Sequence, residues 1–264
     1  MINTHSMKYG RSQAGSTLIA VLLLLVVITI VGVIAMKQGL TSLNIATNSQ
    51  IQTVLAQSSD AVINQIAQAD VSQITSIIGV LGAAVIKSDS EPGQEYVFCY
   101  RPTSADPFGL SINANIIQGR TNGTVAPIDV SAGNFCDLTT DFGSGRRATV
   151  TQVAVTVPLD VSPLPPLTAL SHGGTDVSYG SQLPPNFVIK KRIRVSSTSM
   201  LPAFSTSPLA TVQTECLQGR ISDNADAPLT NVENLTDCLA RQGVPASTQV
   251  QEFSMDTAPI ETGP

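Results

Sequence analysis

The sequence has no tryptophan, few charged residues and only two histidines, His5 and His172. A lone histidine in the turn-rich stretch SHGGTDVSYG has no partner for acid–base or nucleophilic chemistry, and His172 reads as a solvated loop residue. No G-x-S-x-G, G-x-x-x-x-G-K-[ST], G-x-G-x-x-G or H-E-x-x-H occurs, so the common hydrolase, nucleotide and metalloprotease signatures are excluded. Without a Cys-x-x-Cys pair, one histidine leaves zinc no ligand set. The densest oxygen cluster, Ser88, Asp89, Ser90 and Glu91, does not match a calcium-loop spacing. No catalytic residue, metal or cofactor is therefore expected, and the chain does not read as an enzyme.

A basic footprint is missing as well. The formal net charge is −5, and nucleic-acid binding needs clustered Lys and Arg to neutralise phosphate. The nearest approach to a cluster is Lys190, Lys191, Arg192 and Arg194, which reads as the wet face of a strand. Two sequons, Asn122-Gly123-Thr124 and Asn234-Leu235-Thr236, read as turn residues.

Four cysteines are present, Cys99, Cys136, Cys216 and Cys238, all in the polar body. An even count without Cys-x-x-Cys points to disulfides in an oxidising compartment. Four cysteines allow three pairings, and the sequence alone does not choose among them. Sequential pairing, Cys99 with Cys136 and Cys216 with Cys238, is the expectation, because each closes a short, turn-rich loop. Each such bridge is worth roughly 3 to 4 kcal/mol in the chain-entropy model.

What the chain has in abundance is apolar residues near its start. Leu18 to Met36 is a run of nineteen residues without a charge, in which Thr29 is the one clearly polar side chain. As a helix it reaches roughly 28 Å, close to the hydrocarbon thickness of a bilayer. A secretory signal has a shorter apolar stretch with a small-x-small cleavage site after it. Here Ala14, Gly15 and Ser16 precede the run, and the charges before it, Lys8 and Arg11, are positive, which keeps the leader in the cytoplasm and exports the chain beyond the run.

Beyond Lys37, Leu40, Leu43, Ile51, Val54, Leu55, Val62 and Ile66 recur mostly at steps of three and four, with no proline before Pro92. The pattern predicts one helix over 16–69, around 80 Å long, apolar in its first half and amphipathic in its second. Gly32 and Gly39 could soften it locally. The greasy stripe of the second half needs a cover, most simply the chain's own C-terminal domain.

These residues resemble a known family. A basic leader ending in Gly15, then Ser16-Thr17-Leu18-Ile19 and an unbroken apolar helix look like the class III signal of type IV pilins and pseudopilins. The resemblance is close over residues 8 to 45 and looser for the whole architecture. It implies that prepilin peptidase cuts between Gly15 and Ser16, that Ser16 is N-methylated, and that the helix stays as an inner-membrane anchor and later packs in a filament. Loss of the two basic leader residues would take the net charge from −5 to −7. Translation from Met7 would give the shorter leader MKYGRSQAG, the form more typical of the family.

Two positions depart from the family pattern. The mature chain would begin with Ser16 where Phe is common, and Ala20 stands where the family usually has Glu. A carboxylate in hydrocarbon is costly unless paired, and in pilins the proposed partner is the N-terminal amine of the preceding subunit. A subunit without a predecessor needs no such group. The missing Glu is similar to PilX-type minor pilins and to the tip pseudopilin of type II secretion. The phrase GSTLIAVLLLLVVITIVGVIAM looks most like the PilX type. The resemblance implies a tip complex that primes pilus assembly, with roles in adhesion, twitching motility or DNA uptake. The implied partners are other minor pilins, the major pilin, prepilin peptidase and inner-membrane lipid. The implied location is a single pass of the inner membrane with a periplasmic head, then the pilus at the cell surface. Alternatives are a tip pseudopilin, in which a large helical insertion is expected, and a single-span envelope protein.

The body, residues 70–264, reads as one α+β domain with no internal repeat. Residues 70–90 continue in a helical or turn-helix vein. Tyr96 to Tyr100, Thr149 to Val157 and Phe187 to Val195 read as strands, with Leu209 to Cys216 as a candidate fourth. Residues 101–148 and 158–186 read as long turn-rich connections. One charged face on an alternating strand implies an antiparallel sheet wet on one side, with the other face open to the helix. The polar residues 241–264 read as a loosely held tail. The expected fold is thus α+β and pilin-like: a 1–15 leader, a 16–69 helix spanning the membrane over 18–36, and a 70–264 sheet head with disulfide-bonded loops.

Overall fold

The computed structural model describes residues 16–68, 79–80, 82–84, 87, 93–109, 111, 114–119, 125–129, 133–143, 145–158, 189–224 and 232–257. The protein is α+β. Helix α1 runs over Ser16–Ala67 without a break, as expected from a stretch with no proline and few β-formers outside its apolar half. Contacts divide the chain after Gln50, so the last turns of α1 belong to the same unit as the sheet. This boundary lies well inside the helix.

The sheet unit is built on six antiparallel strands: β1 (Gln94–Tyr100), β2 (Asn115–Gly119), β3 (Val125–Asp129), β4 (Val150–Thr156), β5 (Ile189–Met200) and β6 (Ala246–Thr257). Their spatial order is β3-β2-β1-β4-β5-β6. Alternation in β1 directs Tyr96, Phe98 and Tyr100 to one face. There they bury with Val153 and Val155 of β4, Ile193 and Val195 of β5, and Val62 and Ile63 of α1. Leu55 is also fully buried, whereas Leu40, Leu43 and Val54 remain exposed. The buried face of the helix is therefore Leu55, Ser59, Val62 and Ile63, flanked by half-buried Ile51 and Ile66, narrower and later than the sequence pattern suggested. The described parts of 79–87 are helical, and Val80 and Ala84 join the same core.

Hydroxyl and amide groups tie this part of the helix to the sheet. The Ser59 hydroxyl, fully buried, donates to the Ser247 carbonyl at 2.8 Å and accepts the Ser199 N–H at 3.2 Å. Ser58 and Thr151 hydroxyls lie 3.3 Å apart, and the Tyr100 hydroxyl donates to the Gln65 side-chain oxygen.

The second face of the sheet is covered, contrary to the expectation of one wet side. Every residue of β1 is buried, as are six of the seven in β4. The cover consists of the 133–143 loop and residues 201–224 and 232–245, which contain α2 (Leu209–Val212), a π-helical turn (Gln213–Leu217) and α3 (Leu235–Arg241). Leu209 to Cys216 is thus helical and not a strand: Leu209, Val212, Cys216 and Leu217 recur at helical spacing, and the last three are buried. Asn234 accepts the Asp237 N–H at 2.8 Å and caps α3, so the second sequon is a helix start. Gly243, at φ +74°, ends α3, and a Cβ there would meet Thr206 Cγ2 at 2.7 Å.

Three further expectations change. Strand β5 continues to Met200, because Ser196, Ser197, Thr198 and Ser199 are all buried and paired on both sides. The chain's end is not a loose tail through 257: Ala246–Thr257 pairs with β5 over twelve residues in continuous register. Strands β2 and β3 lie in a region that reads from sequence as a loop, and their five-residue length and the bulge at Ile116/Ile117 hide their alternation.

Candidate functional surface

The most distinctive surface is the apolar half of α1. Within the Ser16–Gln50 part, the large apolar side chains from Leu18 to Met36 are exposed, ranging from 47% at Val26 to 74% at Met36. Soluble folds rarely leave so much contiguous apolar surface in water. The one polar side chain of the run is neutralised locally, since the Thr29 hydroxyl donates to the Val26 carbonyl at 2.8 Å. Thr41 and Thr47 do the same to Lys37 and Leu43. Backbone polar groups are satisfied by the helix itself, the condition that hydrocarbon imposes on a spanning segment. By length and composition this is the single described helix able to cross a bilayer. Ser16 is its first described residue and Ala20 is exposed; Gly15 lies outside the described residues.

The sheet unit brings the four cysteines together in one buried cluster. Cys99 is bonded to Cys136 and Cys216 to Cys238, with Cα separations of 4.7 and 5.5 Å. The first bridge pins the 133–143 loop to β1. The second joins the π-helical turn to α3. Gln152, buried on β4, links the two: its amide donates to the Leu217 carbonyl at 3.2 Å and its oxygen accepts the Cys136 N–H at 3.5 Å.

Among the described residues, charge is concentrated where residues 220–224 and 233–241 approach the sheet. Arg194 is not on a wet face: its side chain is 11% exposed, 3.0 Å from Asp223 and 2.9 Å from Glu252. Arg192, at the rim, reaches Glu252 at 3.4 Å. The side chains of Lys190 and Lys191 lie outside the described residues. Beside this network, Glu95 of β1 is buried, and its carboxyl is pushed up to about 7, chiefly by loss of hydration. Glu233 bridges Arg220 at 2.7 Å and Arg241 at 3.0 Å, and these hydrogen bonds hold its carboxyl below the usual range.

The sequence reading did not single out Glu95, Gln152 or Ser59. Glu95 carried a legible signal, since it falls in phase with Val97 and Cys99 on one face of β1; the strand was expected to start one residue later. His172, the Ser88–Glu91 cluster and Asn122 lie outside the described residues. Among the described residues no group of three His, Cys, Asp or Glu side chains is placed to hold a metal ion.

The geometry defines a class: an α+β protein with a disulfide-stapled antiparallel sheet and one exposed apolar helix compatible with a single membrane pass. No family model, curated protein or solved structure matches the chain.

Proposed function

We propose that the chain is a minor pilin of the PilX type, anchored in the inner membrane by Leu18–Met36 before it enters a type IV pilus. The observation that carries this reading is an unbroken helix over Ser16–Ala67 whose uncharged apolar first half is exposed, in a sequence where a basic stretch ending in Gly15 precedes it. Its work is assembly, docking with other minor pilins and the major pilin at the first-assembled end of the filament. Ala20 supports that place: a tip subunit has no preceding amine for a buried carboxylate to pair with. Two disulfides suit an exported unit.

Mass spectrometry of the N-terminus tests the reading. A chain beginning with N-methylated Ser16 is expected; an intact leader, or a cut after the apolar run, would overturn it. Ala20→Glu tests the place in the filament. If that variant primes pili as well as the natural chain, the argument from the missing carboxylate fails.

A further inference from the structure

Glu95 sits on the sheet face covered by residues 201–224 and 232–245 and is 4% exposed. Its two carboxylate oxygens share the Ser222 N–H at 2.8 and 3.1 Å, and the Asp223 N–H and the Ser222 hydroxyl donate to it as well. No arginine or lysine among the described residues pairs with it. The sheet register runs Ile117, Glu95, Thr156, Arg194, Glu252 across five strands, and the cation of that row, Arg194, is engaged by Asp223 and Glu252. Among the described residues, the charged groups around Glu95 are therefore Asp223 from the covering segment, which repels it, and Arg194 of β5, already paired. Glu252 of β6 and Arg192 of β5 pair with each other at the rim. Strands β2 and β4 present Ile117 and Thr156 in the row and no charge.

The covering segment has independent moorings on its other side. Ile221 is buried, and its carbonyl accepts the Leu235 N–H at 2.8 Å; the Asn224 amide donates to the Val232 carbonyl at 2.8 Å, and Arg220 pairs with Glu233. None of these bonds involves β1.

We propose that Glu95 and the Ile221–Asn224 segment form a proton-controlled latch: with Glu95 neutral the segment is clamped on β1, and loss of the proton opens that clamp to water. An ionised Glu95 gains from the two backbone donors and loses more from burial and from Asp223, which is why its carboxyl rises from 4.5 to about 7. In the open, hydrated form it titrates near its ordinary value. Protonation therefore favours the closed form, and that advantage is spent as pH rises from about 4.5 through about 7. From well below that window to well above it, the closed-to-open ratio changes by up to roughly 300-fold.

Amide hydrogen exchange on the full chain in detergent micelles, expressed as protection factors so that intrinsic pH dependence cancels, reads the latch directly. Protection at Ser222 and Asp223 should fall by tenfold or more between pH 5 and pH 8, while Val97 and Ala154 stay protected. Glu95→Gln should remove that pH dependence, and Asp223→Asn should move its midpoint down by removing a like charge. Protection at 222–223 that ignores pH in the natural chain, or that falls equally in Glu95→Gln, would overturn the proposal. If Glu95→Gln does not fold, Asp223→Asn decides, and an unmoved midpoint overturns it.

Discussion

Arginine placed at the middle of the apolar helix tests whether α1 crosses a bilayer. The run Leu18–Met36 centres on Val27, and fourteen of its nineteen residues are Leu, Ile or Val. Each contributes about −0.3 to −0.6 kcal/mol near the centre of a spanning helix and less toward its ends, for a sum on the order of −5 kcal/mol. Exchanging Val27 for Arg turns a small gain into a cost, a swing of roughly 3 to 4 kcal/mol. One arginine should therefore weaken insertion without abolishing it. Leu23→Arg combined with Val27→Arg, about 7 kcal/mol on the same scale, should abolish it. Both side chains are exposed on α1 and belong to none of the buried clusters of the sheet unit, so disulfide formation should be unaffected. Leu40→Arg lies beyond Lys37 and should insert normally. The assay is alkaline extraction of membranes together with protease protection of the exported unit. A double variant that stays in the membrane pellet, with its sheet unit still protected, would show that this segment is not the one that crosses.

The packing sets three further outcomes. Removing the Cys99–Cys136 bridge, which spans 37 residues, should cost about 4 kcal/mol, and removing Cys216–Cys238, which spans 22, about 3.5, read as lower Tm without reductant. Leu55→Ala should cost about 2 to 5 kcal/mol in urea unfolding, because Leu55 is fully buried where the helix meets the sheet; Val54→Ala, on the exposed side, should cost far less. Global stability should fall by up to about 3 kcal/mol between pH 4.5 and pH 8, because the folded state holds a proton on Glu95 that the unfolded chain releases; urea titrations of Glu95→Gln should be flat over the same range.

Much of the sheet unit was legible because aromatic and β-branched residues concentrate in its central strands, which are buried on both faces. Tyr96 to Tyr100 and Thr149 to Val157 match β1 and β4 for that reason. The same rule fails where polar residues are buried. Ser196 to Ser199 lie beyond the expected end of the strand at Val195, yet they are buried, and the Ser199 and Thr198 hydroxyls meet those of Thr151 and Thr248. Polar residues 246–257 looked like a tail because pairing with β5 is made by the backbone and leaves no mark in the side chains. Leu209 to Cys216 could be read at two periods, and burial by α3 and the sheet chose the helical one.

By itself the sequence determined the anchor-like helix, the absence of an enzyme signature and the evenness of the cysteine count, since each depends on composition and local spacing. Cysteine pairing, the cover on the second face of the sheet and the isolation of Glu95 beside Asp223 were decided by tertiary structure. Those features arise only when residues far apart in the chain, such as 95 and 222 or 152 and 217, are brought within hydrogen-bonding distance. The desolvation that drives Glu95 comes from that burial and from nothing in its neighbours along the chain.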